Sequence, residues 1–194
     1  MNKSVLIAGA GIVFLGGYYL ANNRAEEILV VTDGALDIEL QASEIIESEE
    51  SRDNLLSARL NDLNGLQSSL NAIDSEYILV NFWATWCKPC VEEMPMLQSL
   101  QIELGGNRFS VAGLAIDAAD SAARMVEELK ITYPIFVADL EGPELMAKNG
   151  NEQGLLPYTV LLSSSGEVIS SKLGTVQEQD IRGWLNLAYA ASDN

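Results

Sequence analysis

No histidine occurs in the 194 residues, and there are only two cysteines. A structural zinc site needs about four ligands drawn mostly from Cys and His. One cysteine pair without an imidazole cannot close such a site within the chain, so no metal is expected. Two cysteines are also too few for the disulfide framework of a small secreted domain. Basic residues are scarce: 11 Lys and Arg stand against 28 Asp and Glu, a net charge of −17. Nucleic acid is bound through Lys and Arg, so this balance argues against it as a partner. Otherwise an acidic surface indicates little beyond solubility. With 48% hydrophobic and 20% charged residues the composition is that of a globular protein, not a disordered one.

Charge is also missing from one long run, Val5 to Ala21 (VLIAGAGIVFLGGYYLA), which Lys3 precedes. As a helix it would span about 26 Å at about 1.5 Å per residue, a little short of a bilayer core of about 30 Å. Flanking residues can snorkel to cover the difference. Tyr19 stands where a cleaved signal peptide wants a small residue, so an uncleaved anchor over residues 1–25 is expected in preference to a removed signal. Lys3 and the amino terminus on one side, and Arg24 followed by Glu26 and Glu27 on the other, favour a cytoplasmic N-terminus. The rest of the chain would then face an oxidising compartment. Residues 26–57 read as an acidic spacer, with Glu26, Glu27, Asp33, Asp37, Glu39, Glu44, Glu47, Glu49, Glu50 and Asp53 against Arg52.

The remainder, 58–194, has a regular order. Residues 58–73 alternate around Asn64-Gly65 and read as a hairpin. Tyr77 to Trp83 (YILVNFW) is an apolar, β-branched and aromatic run of strand length and central type. A helix is expected from about Pro89 to Leu104, ended by Gly105-Gly106 and kinked by Pro95. A strand follows over Phe109–Ile116. Asp120 or Ser121 caps a helix with Ala122, Met125, Val126 and Leu129 inward. Ile135–Ala138 is extended. Tyr158–Leu162 and Glu167–Leu173 form two strands across a Ser-Ser-Gly turn. Thr175 with Glu178 reads as a capping box for a last helix that buries Ile181, Trp184, Leu185 and Ala188. Crossovers followed by a hairpin imply an α/β fold with a mixed sheet flanked by helices.

Both cysteines lie in ATWCKPC, residues 84–90, where that central strand meets its helix. A purely structural disulfide at this spacing closes a tiny loop and stabilises weakly, which leaves redox exchange. Pro89 fits the first turn of a helix. Cys87 then lies at the electropositive helix end, where a thiolate is favoured, and Lys88 adds a little. Cys90, one turn in, points into the domain and resolves the mixed disulfide. Glu93, three residues past Cys90, shares its face at about 5–6 Å between Cβ atoms. If partly buried it would have a raised pKa and could move a proton to or from Cys90. Trp83 reads as core, and Trp86 is placed to cover the thiols.

VNFWATWCKPCVEEMP, Val80 to Pro95, resembles the thioredoxin superfamily, and within it the membrane-anchored TlpA/ResA-type thiol–disulfide oxidoreductases. GLLPYTVLLSSSGEVI, Gly154 to Ile169, matches a second family region. The resemblance implies that Pro157 is a cis-proline and that the Leu156 backbone pairs with substrate peptide. It further implies substrate contacts at Trp86, Lys88, Pro89, Leu156 and Pro157, catalysis by Cys87, Cys90 and Glu93, and no cofactor beyond the Cys87–Cys90 disulfide. Many thioredoxins carry an aspartate where this chain has Asn81, which leaves Glu93 as the nearby proton carrier.

The expected activity is reduction of disulfides in exported proteins, apocytochromes before haem attachment among them. Electrons would come from a membrane thiol donor, and the domain would be tethered outside a bacterial inner membrane. An oxidase or isomerase, or a non-catalytic thioredoxin-like binding module, are the alternatives. A peroxidase is disfavoured, because no cysteine remains outside the C-x-x-C.

Overall fold

A computed structural model of the chain describes residues 5–8, 11–14, 17–20 and 55–192. Two compact units separate, Met1–Arg52 and Asp53–Asn194. In the first, β1 (Val5–Ala8), β2 (Gly11–Phe14) and β3 (Gly17–Leu20) form an antiparallel sheet in that order. The described backbone of the apolar run is therefore strand where one helix was expected. The reason is visible in its composition. Gly9, Gly11, Gly16 and Gly17 weaken a helix, and Val, Ile, Phe and Tyr fill the stretches between them. No helix among the described residues is long and apolar enough to cross a membrane. Most of the acidic spacer lies outside the described residues.

The second unit is built on a seven-stranded sheet of order β10-β9-β6-β7-β8-β4-β5. Its elements are β4 (Leu60–Asp62), β5 (Gln67–Ser68), β6 (Tyr77–Trp83), α1 (Lys88–Leu104), β7 (Phe109–Ala115), α2 (Ala119–Glu128), β8 (Ile135–Val137), α3 (Gly142–Lys148), β9 (Tyr158–Ser163), β10 (Val168–Leu173) and α4 (Glu178–Ser192). The crossovers through α1 and α2 make β6, β7 and β8 parallel, while β9 and β10 join antiparallel on the other side of β6. The mixed sheet expected from the order of elements is the one that forms. The β4–β5 hairpin turns where Gly65 takes a positive φ of 79°, and β4 then pairs with β8 at the sheet edge.

All of β6 is buried, and its alternation feeds two cores. Tyr77, Leu79 and Trp83 pack with Met94, Leu97 and Leu100 of α1 and Ile181 and Leu185 of α4. Ile78, Val80 and Phe82 pack on the opposite face with Leu70, Met146 and the residues Leu55 and Leu56. Those two leucines carry the domain's core upstream of the boundary expected at residue 58. α1 runs on through Pro95. α2 starts after Ala118, slightly ahead of the cap expected at Asp120 or Ser121, with Ala122 fully buried as anticipated.

α3 was not foreseen. It is short, opens on Gly142-Pro143 and buries little beyond Met146. The cap of α4 also differs from the expected Thr175–Glu178 box. The Asp180 carboxylate reaches back to accept the Gln177 N–H at 2.8 Å, which shifts the box by two residues.

Leu97 is fully buried where the redox helix meets the sheet. Leu97→Ala is expected to lower unfolding free energy by about 2–5 kcal/mol, read from urea denaturation of the oxidised protein.

Candidate active site

β6 ends at Trp83 and α1 begins at Lys88, so four residues turn the chain from sheet to helix. This turn is held at both ends. Cys87 N–H donates to Ala84 C=O at 3.1 Å, and Ile116 N–H donates to Trp83 C=O at 2.8 Å. Between them Thr85 donates both its N–H, at 3.1 Å, and its hydroxyl to one oxygen of Asp117. The other Asp117 oxygen accepts the Ala118 N–H at 2.8 Å. Burial pushes the Asp117 carboxyl up, but these bonds outweigh it and hold the group below its ordinary range. An ionised carboxylate thus clasps the loop two residues before Cys87. Spacing in the sequence gave no sign of this contact, which spans the β6 and β7 ends.

Cys87 caps α1 and Cys90 lies in its first turn. The two form a disulfide, with Cα atoms 5.3 Å apart. Cys90 is wholly buried and Cys87 retains 6% exposure, the asymmetry expected of an attacking and a resolving thiol. Around them Trp86 is 70% exposed, and Lys88 and Pro89 are exposed. The Lys88 ammonium is 3.5 Å from the Glu92 carboxylate on the outer face, so its charge is shared with an acid turned to water. Leu156 is half-buried against the cluster that contains both cysteines, Pro157 is buried, and their peptide bond is cis. Trp83 is core, as its position in β6 implied.

Glu93 is the site's buried acid, 4% exposed. One carboxylate oxygen accepts Asn81 Nδ2 at 2.8 Å, and the other accepts the Val176 N–H at 2.9 Å. Asn81 Nδ2 also donates to Thr159 Oγ1 at 2.9 Å. Burial raises the Glu93 pKa; the bonds from Val176 and Asn81 and the charge of Lys172 offset it only in part. A groove of about 330 Å³ between α1 and the turn before α4 has Glu93 in its wall, beside Pro89, Met96 and Val176. Through it the acid has a route to solvent protons. Nearby, Asn81 Oδ1, Trp83 Nε1 and Tyr133 OH are buried with no hydrogen-bond partner in the protein. Such unpaired groups are uncommon in cores and concentrate at working sites. Among the described residues no cluster of His, Cys, Asp and Glu fits a metal ion.

The chemistry follows from this arrangement. A thiolate at Cys87 attacks a disulfide sulfur, and the displaced sulfur leaves with the bonding electrons. Cys90 then loses its proton and attacks Cys87 Sγ. The Cys87–Cys90 bond forms, and the second sulfur of the target leaves and takes up a proton. In the reverse sequence Cys90 leaves Cys87 Sγ and takes up a proton.

Two outcomes check the geometry. In the reduced protein iodoacetamide is expected to label Cys87 ahead of Cys90, as read by peptide mass spectrometry. Glu93 binds its proton more tightly folded than unfolded, so its contribution to stability is full below the ordinary carboxylate range and declines as pH rises through the raised value. Glu93→Gln does not ionise. In urea denaturation of the oxidised protein, the stability of Glu93→Gln relative to wild type should therefore climb across that window and level off above it.

Residues 50–185 match the family model described as Redoxin. The thioredoxin-like protein YneN of Bacillus subtilis is 32% identical over 132 residues, covering 66% of this chain and 74% of the relative. The thiol-disulfide oxidoreductase ResA of Geobacillus kaustophilus is 34% identical over 125 residues, covering 63% and 68%. A thioredoxin-related protein from Neisseria meningitidis serogroup B superposes with a TM-score of 0.61 at 27% identity, over 68% of this chain and 98% of that one. StoA from Bacillus subtilis, at 21% identity and a TM-score of 0.53, shares the fold over 66% and 94%. The chain carries a cysteine pair at a strand-to-helix junction, and it belongs to the Redoxin family as a thiol–disulfide oxidoreductase of the thioredoxin-like ResA type.

Proposed function

We propose that the protein is an extracytoplasmic reductase of protein disulfides, with Cys87 as nucleophile, Cys90 as resolving thiol and Glu93 as proton carrier. The observation that carries the reading is the buried Glu93 carboxyl on the Cys90 face of α1, open to a groove. The reducing direction is supported by the charges around the pair. Lys88 is engaged by Glu92, and no histidine is present. Asp117 lies on the Cys87 side and Glu93 on the Cys90 side. Negative charge disfavours a thiolate, and a dithiol whose reduced form is not stabilised gives up its electrons more readily. Reduction potential measured against glutathione or dithiothreitol should lie near the thioredoxin end of the range, about −270 mV. A value near −120 mV would reverse the direction to that of an oxidase.

The substrates we propose are exported proteins with disulfides, apocytochromes before haem attachment among them. Exposed Trp86 and Pro89 beside half-buried Leu156 offer an apolar border around Cys87 on which an extended peptide can lie. A membrane thiol donor would restore the dithiol. For location, the support is the apolar run Val5–Ala21 after Lys3. Within a bilayer a segment must satisfy its own backbone hydrogen bonds, which a helix over this run would do. A membrane-impermeant maleimide should label reduced Cys87 in intact cells or spheroplasts, and lysis should add no further signal.

Cys90→Ser is expected to freeze a mixed disulfide at Cys87, and mass spectrometry of the trapped species names the substrate. Replacing both cysteines with serine should abolish the cellular effect. An effect that survives would instead assign the protein a binding role.

A further inference from the structure

The polar row beneath Glu93 does not end at Thr159. Asn81 on β6 stands opposite Thr159 on β9, and Thr159 stands opposite Lys172 on β10. Directly opposed residues on neighbouring strands share a face, so Lys172 leaves the sheet on the side where Glu93 descends from α1. The Lys172 ammonium is fixed there by the Asp180 carboxylate at 2.6 Å, with the two side chains 36% and 26% exposed. The same Asp180 oxygen accepts the Gln177 N–H, and the adjacent peptide, at Val176, donates to Glu93. The ion pair and the acid therefore grip consecutive peptides of one turn.

Each element packed against Glu93 presents a definable group. α1 brings Cys90, β6 brings neutral Asn81, and the turn before α4 brings the Val176 amide. The segment before β8 brings Tyr133, whose hydroxyl keeps its proton because burial and the charge of Glu93 both push it up. β10 brings Lys172, with Asp180 of α4 behind it, and Glu92 of α1 and Glu178 of α4 line the groove that Glu93 borders. Among the described residues Lys172 is the cation whose charge acts on Glu93, and it opposes the effect of burial.

We propose that Lys172, fixed by Asp180, is a positioning residue for thiol exchange: its ammonium is the counter-charge that lets Glu93 release its proton as well as hold it. Without that charge Glu93 would hold its proton to higher pH, with only the bonds from Val176 and Asn81 left to oppose burial, and would serve the Cys90 thiol less readily as an acceptor. This rests on the reading of Glu93 as the site's proton carrier.

The test is a charge series at one position in the full chain. Lys172→Arg keeps the charge, while Lys172→Met and Lys172→Gln remove it with different chemistry, so one neutral variant suffices if the other does not fold. Glu93 is titrated in the oxidised protein by carboxyl-labelled NMR, at low and high salt. The pH profile of reduction by dithiothreitol is recorded alongside, with Glu93→Gln as reference. Arginine should titrate near wild type, and the neutral variants at higher pH, with the gap narrowing in salt. The limb of the profile should move the same way.

Neutral variants that titrate like wild type overturn the proposal. So does an arginine variant displaced as far as methionine, because packing and not charge would then be the cause. Glu93→Gln separates the two levels of the reading. If its profile keeps the limb, the role of Glu93 fails, and that of Lys172 with it. If the limb is lost there but unmoved in the neutral Lys172 variants, Lys172 alone is overturned.

Discussion

A carboxyl group suspended beneath the redox helix, between the Asn81 amide and the Val176 N–H, is the contact on which the site depends. A carboxyl removed from water is costly unless hydrogen bonds replace those it loses. Here the replacements come from two places far apart in sequence. Asn81 belongs to the central strand, and Val176 to the turn that leads into the last helix. Glu93 thereby ties α1 to the sheet on one side and to α4 on the other. It ends with a proton affinity above the ordinary carboxylate range, which suits the proton exchange with Cys90 proposed for it.

The thiols sit between opposing influences. The N-terminus of α1 favours a thiolate at its cap, and the carboxylates of Asp117 and Glu93 oppose it. Asp117 also has a mechanical part. By accepting both the N–H and the hydroxyl of Thr85, it fixes the loop that presents Cys87, so the nucleophile is held by the end of a neighbouring strand.

How much of this could be read in the sequence depends on how local each contact is. Cys87, Cys90 and Glu93 were legible because they belong to one helix, and spacing on a helix fixes which side chains meet. β6 was legible because, Asn81 apart, it is apolar on both faces, as a strand with a core on either side must be. Thr85 with Asp117, and Lys172 with Thr159 and Asn81, were not legible, since each depends on the register between strands. Val176 acts through its backbone, which no side-chain pattern records. The Thr175–Glu178 box was misplaced because Asp180 stands at the same spacing from Gln177 and takes its N–H, while also pairing with Lys172. The cis bond at Pro157 was foreseen through family resemblance, because sequence alone gives no preference for it.

The placement of the acid has a consequence for how the site can be adjusted. Glu93 follows Cys90 by one helical turn, so its separation from the resolving sulfur is set by the geometry of α1 and survives small motions of that helix. The groups that determine how tightly it holds a proton lie elsewhere, on β6, β10 and the turn before α4. A shift of α1 against the sheet would alter the solvation and partners of the acid while leaving its distance to the thiol unchanged. An acid borne on the strand would behave in the opposite way, with its solvation fixed and its distance to the sulfur free to vary. Here Asn81 occupies the strand position and contributes only a donor, so the fold holds proximity constant and leaves proton affinity as the quantity free to vary.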